Sequence, residues 1–403
     1  MVIGAGLVGA ATAARLSATG RRVCVVDRAG PIGGTTAAGE GNLLVSDKLP
    51  GPELTLALRS LGLWRAFAAE HGAEIEFEPK GGVVVAHDQA QLAALDELAA
   101  RQREAGAEVT ALDPGALRDA EPWLSARLAG GAFYPQDAQV QPMRAAMAFL
   151  AQAVRRGAAA VAGAEAIALE TGPGGTVSAL VTSRGRVSCP VVVNAAGPWS
   201  GAVARRLGSD LPVRPRRGHI LVTEPLPPLV RHKVYEADYV GAVVSDSTGL
   251  ECSAVVEGTA SGTVLIGSSR DFVPLTARPD PAALAEMARR AVSLFPFLGT
   301  VRAIRAYTGF RPASPDHLPI IGPDPAVPGL YHASGHEGAG IGLAPATAEL
   351  VAALIDGKAP PGPAADPAAF SPARFIDFGN GLRPYTFGGF PPGAGTGRDS
   401  EVL

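Results

Sequence analysis

The opening segment, Met1 to Asp27, predicts a short strand, a tight turn, a helix and a second strand that ends in an acid. Gly4, Gly6 and Gly9 have G-x-G-x-x-G spacing, in which the first glycine permits the turn, the second lets backbone approach a pyrophosphate and the third lets the helix pack closely on its strand. The unpaired N–H groups at the helix N-terminus favour a phosphate there. Asp27 is placed to accept hydrogen bonds from a ribose diol and to repel a 2′-phosphate. The unit therefore predicts a site for FAD or NAD rather than NADP.

The same stretch is apolar enough to suggest a signal peptide or a membrane helix instead. No basic region precedes it, however, and Arg15, Arg21 and Arg22 interrupt it within a few turns. The rest of the sequence has no uninterrupted apolar run of the roughly 18 residues that a membrane span needs. We therefore expect neither a secretory signal nor a membrane span.

Composition excludes further classes of protein. The 403-residue chain is 47% hydrophobic with a formal net charge of -3, so it has no basic excess that would indicate a nucleic-acid partner. Its cysteines, Cys24, Cys189 and Cys252, are far apart and lack C-x-x-C spacing, which argues against a disulfide framework, an iron-sulfur cluster or a zinc site. The sequence thus predicts a cytoplasmic protein with no metal site.

Two later stretches are small-residue turns next to strands. "VVVNAAGPWS" (191–200) ends in Ala195, Ala196 and Gly197, which would let a second loop close over a dinucleotide; an ordinary strand-to-helix turn is the alternative. "YHASGHEGAGIGLAPATAELVAALI" (331–355) predicts a strand, a glycine-rich turn and a helix. The N-terminus of that helix can direct a positive dipole at a developing anion.

One arginine has the setting of an anion-binding residue. Arg311 precedes Pro312 in "RAYTGFRPASPDHLPIIGP" (305–323), which the sequence predicts to be a loop stiffened by Pro312, Pro315 and Pro319. A guanidinium held there can bind a carboxylate in a bidentate manner. The alternative is a solvated surface charge.

In order and spacing, five motifs resemble those of the FAD-dependent amine oxidoreductase superfamily of D-amino-acid oxidase, glycine oxidase and sarcosine oxidase. They are "VIGAGLVG", "GGTTAAGEGN", "VVVNAAGPWS", "GFRPASPDHLPIIGP" and "GHEGAGIGLAPAT", and the resemblance spans residues 2 to about 357. Within the family, "GEGNLLVSDK" and "GHEGAGIGLAP" look most like the flavin subunit of bacterial D-hydroxyproline, proline or opine dehydrogenases. The cofactor implied is FAD, bound without a covalent link.

The resemblance also implies which residues contact the cofactor. The glycine turn and Asp27 would hold the ADP half of FAD, the loop after the second strand would run beside the isoalloxazine ring, and the last glycine-rich turn would face the N1/C2=O edge of that ring. The residues implied are Gly4, Gly6, Leu7, Val8, Gly9, Asp27, Arg28, Thr35, Thr36, Ala37, Ala38, Gly39, Ala195, Ala196, Gly197, Trp199, Gly338, Gly340, Ile341, Gly342 and Leu343.

Substrate-binding roles follow from the same resemblance. Arg311 matches the family arginine that anchors the substrate carboxylate. Glycine oxidase-like members carry a second arginine in the C-terminal glycine loop, where this chain has His336 and Glu337, so a two-arginine clamp is in doubt. Glu337 can instead bind a secondary amine or a second polar group, or be merely solvated, and His336 can be a site residue or a structural histidine. Tyr235 and Tyr239 can close the pocket or pack elsewhere.

The activity implied is oxidation of the C–N bond of a small or secondary amino acid. Hydride transfer from Cα to flavin N5 would give an imine that hydrolyses in water, and no side-chain base is required if the amine arrives deprotonated. Three alternatives stay open: a glycine or sarcosine oxidase that uses oxygen, an NAD-dependent dehydrogenase, and a flavin-bearing electron-relay subunit. The dehydrogenase resemblance implies a separate iron-sulfur or electron-accepting subunit.

The predicted fold class is α/β with two domains. Nucleotide-type signals lie at both ends and in the middle of the chain, and the strand-rich segment 212–267 predicts an antiparallel sheet distinct from them. We therefore predict a Rossmann-like FAD-binding domain interleaved with an antiparallel-sheet substrate domain. The predicted bounds are 1–75, 140–211 and 300–360 for the first and 76–139 and 212–299 for the second, followed by a poorly ordered Pro/Gly-rich tail at 361–403.

Overall fold

The opening glycine turn lies between a short strand and a longer helix, in a computed structural model that describes residues 1–243, 245, 247–275, 278–360 and 366–379. The strands, in chain order, are β1 (Val2–Ile3), β2 (Cys24–Asp27), β3 (Asn42–Leu43), β4 (Gly82–Ala86), β5 (Thr110–Leu112), β6 (Gly130–Tyr134), β7 (Ala138–Gln139), β8 (Ala159–Ala162), β9 (Ala166–Thr171), β10 (Val177–Thr182), β11 (Gly185–Ser188), β12 (Val192–Asn194), β13 (Arg214–Thr223), β14 (Lys233–Glu236), β15 (Glu251–Gly258), β16 (Val264–Arg270), β17 (Ala303–Ala313), β18 (Ile320–Pro323) and β19 (Leu330–Ser334). The α-helices are α1 (Leu7–Ser17), α2 (Pro52–His71), α3 (Gln89–Glu104), α4 (Pro114–Ala120), α5 (Pro142–Arg155), α6 (Ser200–Arg206), α7 (Asp238–Val243), α8 (Pro281–Leu294) and α9 (Gly340–Ile355).

A largely parallel sheet carries the glycine turn. Its strand order is β18-β19-β12-β1-β2-β8, and its neighbours are parallel except for β18 with β19. Helix α1 packs against α5 and α9, and because α1 is rich in alanine its backbone approaches these neighbours closely. The predicted Rossmann-like unit is confirmed.

A second sheet has the strand order β17-β13-β16-β15-β14-β4-β6-β5, with α8 packed against β13, β15 and β16. Its pairs are antiparallel except for β14 with β4, which runs parallel. The predicted antiparallel sheet is thus confirmed apart from this one pair, which joins strands from distant parts of the chain. β17 lies at one edge of the sheet, next to β13, and its last residue, Ala313, also forms an isolated bridge to His336.

The predicted domain boundary at residue 300 does not coincide with the boundary between the two sheets. β17, which the prediction assigns to the FAD-binding domain, is hydrogen-bonded along its length to β13 of the larger sheet. The division into two interleaved domains stays a prediction, with this strand as the point where sheet membership and predicted bounds differ.

The part of the predicted tail that the structure describes is folded. Residues 367–370 and 372–379 form short 3-10 helices, and Phe370 is fully buried in the core. Residues 361–365 and 380–403, which the prediction also placed in the tail, lie outside the described residues. Among the helices of the described ranges, none is both long enough and apolar enough to cross a membrane.

Candidate active site

A cavity between the two sheets brings most of the predicted site residues together. The parallel sheet contributes Ile3 and Val26 to its wall, and the larger sheet contributes Gly218 and Gly309. The predicted residues that line it are Gly4, Gly6, Leu7, Val8, Asp27, Arg28, Thr35, Thr36, Ala38, Gly39, Ala195, Ala196, Gly197, Trp199, Arg311, His336, Glu337, Gly338, Gly340 and Ile341. Those outside the lining are Gly9, Ala37, Gly342 and Leu343.

The glycine turn leaves no room for side chains on its inner side. Gly4 adopts φ +101°, and a Cβ on it would lie 2.4 Å from the carbonyl oxygen of Ala195. A Cβ on Gly9 would lie 1.9 Å from the carbonyl oxygen of Gly4, so Gly9 acts by packing α1 against the turn rather than by lining the cavity. The backbone is thereby exposed to a ligand at Gly4 and Gly6, as a pyrophosphate requires.

The start of α1 is electrostatically open to an anion. Its N-cap residue, Gly6, provides no capping side chain, and the first turn contains no acidic residue. Leu7 donates its backbone N–H to Thr36 Oγ1 at 3.0 Å. The positive end of this helix dipole faces the cavity, and the helix has no carboxylate in its own first turn, which fits a phosphate group.

Asp27 ends β2 at the rim of the same site. Its two carboxylate oxygens accept the backbone N–H groups of Ala5, at 2.9 Å, and Ala29, at 3.0 Å. These two bonds fix the orientation of the carboxylate and leave each oxygen a further lone pair for a diol. Next to it, the Arg28 guanidinium lies 4.3 Å from the centre of the Trp199 ring. Together with the open helix terminus, this arrangement fits the nucleotide half of FAD.

The flavin end of the predicted site is formed by close backbone approaches. A Cβ on Gly309 of β17 would lie 2.6 Å from Ala38 Cβ, and one on Gly39 would lie 2.8 Å from Ile341 Cδ1. The loop that contains residues 35–39 is thus confined between β17 and the start of α9. Of the residues of α9, only the first two line the cavity, because the helical period directs the next two inward.

The two predicted residues of α9 that miss the cavity have other partners. The carbonyl oxygen of Gly342 accepts hydrogen bonds from Ser60 Oγ at 2.5 Å and Trp64 Nε1 at 3.0 Å. Leu343 is 1% exposed and packs in the core. Gly342 therefore anchors α9 against α2 and Leu343 anchors it in the core, and Gly340 and Ile341 are left to face the cavity.

Arg311 faces the cavity from an edge strand, not from the loop that its neighbouring prolines suggested. Its Nη1 donates to the carbonyl oxygen of Ser269 at 2.8 Å, and its guanidinium packs on the backbone of Gly218, where a Cβ would lie 2.4 Å from Nη1. In the described part of the chain, Arg311 has no carboxylate partner. Burial and the charge of Arg270 lower the pKa of Arg311 to about 10, so it is still a cation at neutral pH.

His336 precedes α9 and is held by a side chain of that helix. One ring nitrogen, Nε2, lies 2.9 Å from Thr347 Oγ1, and the side chain is 2% exposed. Burial lowers the pKa of His336 to about 4, so the ring is neutral at pH 7. These contacts agree with the structural alternative raised from the sequence.

Glu337 is engaged in ion pairs and is not solvated. Its carboxylate accepts from Arg216 Nη1 at 2.6 Å and lies 3.1 Å from His317 Nδ1. Burial would raise the pKa of Glu337, but the His317 hydrogen bond and the charges of Arg216 and Arg270 lower it to about 2. The carboxylate is therefore part of an ion-pair cluster within the protein.

An acid that the sequence reasoning did not single out, Glu40, lines the cavity beside Asn42. Glu40 Oε2 accepts from Asn42 Nδ2 at 2.9 Å and from Lys233 Nζ at 3.3 Å, and Lys233 also pairs with Glu257 at 2.9 Å. The available signal was the "GEGN" that follows the glycine loop, an acid and an amide on either side of a glycine. Lys233, from a distant part of the chain, gave no local signal.

The two tyrosines that were candidates to close the pocket have different positions. Tyr239 lines the cavity. Tyr235 is fully buried and its hydroxyl bonds to Ser46 Oγ, away from the cavity lining. Tyr239 therefore belongs to the site, and Tyr235 belongs to the core.

The fold and this cavity define a flavin-dependent oxidoreductase. A family model described as FAD dependent oxidoreductase (DAO) matches residues 1–354. The chain belongs to this family, and its cofactor is FAD.

Relatives of known name cover nearly the whole chain. The hydrogen cyanide synthase subunit HcnC of Pseudomonas aeruginosa is 28% identical over 93% of this chain and 95% of its own length. Glycine oxidase of Geobacillus kaustophilus is 28% identical over 93% of this chain and 96% of its own. The crystal structure of that glycine oxidase superposes with a TM-score of 0.83 at 26% identity, covering 93% of this chain and 98% of the other. L-proline dehydrogenase from P. horikoshii shares the fold, with a TM-score of 0.83 at 22% identity over 93% of this chain and 96% of its own.

Proposed function

We propose that this chain oxidises the C–N bond of a small primary or secondary amino acid, of the D-amino acid, D-hydroxyproline, proline or opine type. The observation that carries the proposal is Arg311, a half-buried cation that faces the cavity without a carboxylate of its own among the described residues. A buried guanidinium is stabilised by an anion that supplies the missing acceptors. The carboxylate of an amino acid is such an anion.

The residues at the other end of the cavity would hold FAD. The backbone at Gly4 and Gly6 with the start of α1 would bind its pyrophosphate, Asp27 its ribose, and the loop at residues 35–39 with the start of α9 its ring system. When bound, FAD would accept the two electrons that the substrate loses from its Cα–H bond as its C–N bond is oxidised to C=N.

The chain's own side chains would position the substrate. Arg311 would fix the substrate carboxylate. We assign to Glu40 the role of accepting a hydrogen bond from the substrate amine, because Glu40 is an acid of the cavity wall. The Lys233 ammonium and the Asn42 amide hold the Glu40 carboxylate in one orientation. The oxidised substrate leaves as an imine, which water hydrolyses.

Two further possibilities concern the electron acceptor. A glycine or sarcosine oxidase-type enzyme would pass electrons to oxygen and form hydrogen peroxide; the likeness to glycine oxidase favours this route. A separate iron-sulfur or electron-accepting subunit, or a role as an electron-relay subunit of a larger complex, is favoured by the likeness to a protein named as a subunit of hydrogen cyanide synthase.

The test is anaerobic reduction of the flavin absorbance band of the purified holoenzyme. D-proline, 4-hydroxy-D-proline, glycine, sarcosine, D-alanine and an opine are each added without oxygen, and air is then admitted. Bleaching by one of them supports the proposed reaction; fast return of colour in air indicates an oxidase, and slow return indicates a partner acceptor. Bleaching by none of them contradicts the proposal and favours the electron-relay role.

Arg311→Gln tests the assignment of the carboxylate anchor. We expect kcat/KM for the bleaching substrate to fall about 1000-fold, since a buried charge-assisted pair is worth roughly 4 kcal/mol, with flavin content unchanged. Arg305→Gln, on the same strand but away from the cavity lining, is the matched control and should retain activity. Equal activity of the two variants would show that Arg311 does not bind the substrate.

A further inference from the structure

The pairing of β13 with β16 is interrupted next to the cavity. Leu221 pairs with Ile266, and the next pair along these two segments, within the described residues, is Arg217 with Asp271. Three residues of β13 therefore lie opposite four residues of β16, 267–270. An extra residue of this kind bends the strand that carries it and redirects its backbone groups, and such bulges are common next to active sites.

The interruption leaves a backbone carbonyl of β16 available to Arg311. In a regular antiparallel pair, the backbone N–H groups of one strand bond to the carbonyl oxygens of the other. Here the backbone N–H of His219 donates instead to Ser269 Oγ at 3.1 Å, and the carbonyl oxygen of Ser269 accepts from Arg311 Nη1 at 2.8 Å. The same Nη1 lies 3.4 Å from the carbonyl oxygen of Arg217. The position of Ser269 therefore decides where the guanidinium lies.

The ring of His219 holds the side chain of Ser269. Its Nε2 accepts the backbone N–H of Asp280 at 2.9 Å, so the proton of the neutral ring is on Nδ1. Nδ1 lies 2.7 Å from Ser269 Oγ and therefore donates to it. Burial and the charge of Arg217 lower the pKa of His219, which keeps the ring neutral at pH 7. Ser269 Oγ thus accepts two hydrogen bonds from His219, and these fix the orientation of its side chain.

His219 is itself anchored to a helix. Asp280, which holds Nε2 of the ring, is the N-cap residue of α8, and its Oδ1 accepts the backbone N–H of Ala282 at 2.9 Å. Because α8 packs against β13, β15 and β16, the backbone of Asp280 has a fixed position. His219 is 1% exposed and lies in the cavity wall. Both of its ring nitrogens bond to protein groups, so the ring acts on its neighbours rather than on a substrate.

The bulged segment also contacts the second residue to which we assign a substrate-binding role. A Cβ on Gly267 would overlap Oε1 of Glu40. Gly267 is two residues before Ser269 on β16, and Ser269 holds Arg311. One short segment of β16 thus lies against both Glu40 and Arg311, so its position sets the distance between the two charges.

We propose that His219 is a positioning residue for Arg311 and acts through Ser269. This inference rests on the proposed function, in which Arg311 binds the substrate carboxylate. His219 holds the Ser269 side chain, and Ser269 presents its carbonyl oxygen to the guanidinium, which is thereby directed into the cavity. Without the bond from His219, Ser269 can shift, the guanidinium loses the acceptor that orients it, and carboxylate binding weakens.

The experiment measures binding of a small unreactive carboxylate to the holoenzyme. Propionate and propionamide, which are similar in shape and differ in charge, are titrated while the flavin absorbance spectrum reports binding. We expect the wild-type protein to bind propionate at least about 100-fold more tightly, as a charge-assisted pair with a guanidinium provides. Equal dissociation constants would overturn both the anchor role of Arg311 and the inference about His219.

Two substitutions of His219 isolate its bond to Ser269. His219→Phe keeps a ring and removes both ring hydrogen bonds, whereas His219→Asn keeps an N–H near the position of Nδ1. Neither variant retains the acceptor for Asp280, so the two differ in the bond to Ser269. We expect the preference for propionate to fall about tenfold in the Phe variant and to stay within about threefold of wild type in the Asn variant, with propionamide binding and flavin content unchanged.

Ser269→Ala gives the same test from the other side of the bond. It removes the acceptor of the His219 proton and keeps the backbone carbonyl, so we expect it to lower the preference for propionate about tenfold as well. It also replaces His219→Phe if that variant loses flavin. His232→Phe removes another hydrogen-bonded histidine, outside the cavity lining, and should leave the preference unchanged.

A double variant separates positioning of Arg311 from a general loss of structure. In the Arg311→Gln protein the guanidinium is absent, so adding His219→Phe should change propionate binding by less than about twofold. An equal loss of propionate binding with and without Arg311, or a His219→Asn protein as weak as His219→Phe, would show that His219 does not act on Arg311 and would overturn the inference.

The inference and the proposed reaction fail separately. If the preference for propionate depends on His219 and Arg311 but no amino acid bleaches the flavin, the positioning role stands and the proposed reaction does not. If an amino acid bleaches the flavin and the reaction depends on Arg311, but His219→Phe and Ser269→Ala both keep the preference for propionate, the reaction stands and the positioning role does not.

Discussion

The two ends of the cavity are built in different ways. At the cofactor end, the turn between Gly4 and Gly9 and the carboxylate of Asp27 come from one short segment at the start of the chain, and most of the recognition surface is backbone. At the proposed substrate end, Glu40 and Arg311 come from widely separated segments of the chain, and charged side chains would recognise the substrate.

This difference separates what is common to a family from what distinguishes its members. A backbone cradle depends on dihedral angles and close approach, which short-range spacing encodes and which few substitutions can alter without loss of the fold. A charged side-chain cluster depends on sheet register, and its charge can be changed one residue at a time. We therefore expect the cofactor end to tolerate few substitutions and the substrate end to tolerate changes of single charged side chains.

The largest effect is expected at the cofactor end, from Gly9→Ala. The added Cβ would overlap the carbonyl oxygen of Gly4, a backbone atom that cannot move aside, so we expect destabilisation of more than about 4 kcal/mol and loss of bound flavin. Gly62→Ala is the matched control, because it is also a helical glycine but has no atom within 4 Å of the added Cβ. Flavin content and thermal unfolding are measured for both. A Gly9→Ala protein with full flavin content would show that the turn can adjust.

How much was predictable from the sequence follows the same division. The glycine turn and Asp27 were predicted from local spacing and the residues at the start of α9 from the family resemblance, and the cavity brings Gly4, Asp27 and Gly340 together. Arg311 was predicted to bind an anion and was placed on a loop, because the prolines beside it are typical of loops. On an edge strand such as β17, however, proline is tolerated, since the sheet has a neighbouring strand on one side of it only.

The residues that the sequence did not identify act through distant partners. His219 is one of seven histidines until the interrupted pairing of β13 and β16 places it beside Ser269. Glu40 is an isolated acid until Lys233 from β14 reaches it. Gly342 and Leu343 were expected at the cavity as part of a glycine-rich motif, but the helical period turns them toward α2 and the core. Contacts of this kind depend on topology, which one sequence does not specify locally.

A second prediction concerns pH and His336. Its pKa in the folded protein is about 4, below the unfolded value of 6.5, so the folded state binds fewer protons between these values. The contribution of this histidine to the free energy of unfolding is fully present above pH 6.5. As the pH falls toward 4, the free energy of unfolding decreases by roughly 3 kcal/mol. His336→Gln should remove this loss.

The measurement is urea unfolding of both proteins from about pH 4.5 to about pH 7.5. The difference between the two profiles isolates His336, because Asp137, whose pKa burial raises to about 7, contributes equally to both proteins. The stability at the upper end of this range, where the histidine is neutral in both the folded and the unfolded state, gives the cost of the substitution itself. Parallel profiles across the whole range would contradict a buried neutral His336.

Gly218→Ala tests how accurately the guanidinium of Arg311 must be positioned to bind the substrate. The added Cβ would meet the guanidinium of Arg311 at 2.4 Å, and because this is the end of a flexible side chain it would shift rather than unfold the sheet. We expect KM for the bleaching substrate to rise about tenfold, equivalent to about 1.4 kcal/mol, with flavin content unchanged. An unchanged KM would mean that the guanidinium does not need its present position to bind substrate.

The smallest effect is expected from Trp199→Ala, which tests whether side chains matter at the cofactor end. Arg28 stacks on Trp199 at 4.3 Å, and an exposed cation–π pair is worth about 0.5–1 kcal/mol. If the role of Trp199 is to hold Arg28 in place beside the nucleotide, the dissociation constant of FAD should rise about three- to fivefold in the variant. Trp123→Ala, which removes an exposed tryptophan outside the cavity lining, should leave FAD affinity unchanged. A loss of FAD binding as large as that of Gly9→Ala would show that side chains, and not backbone alone, carry recognition at the cofactor end.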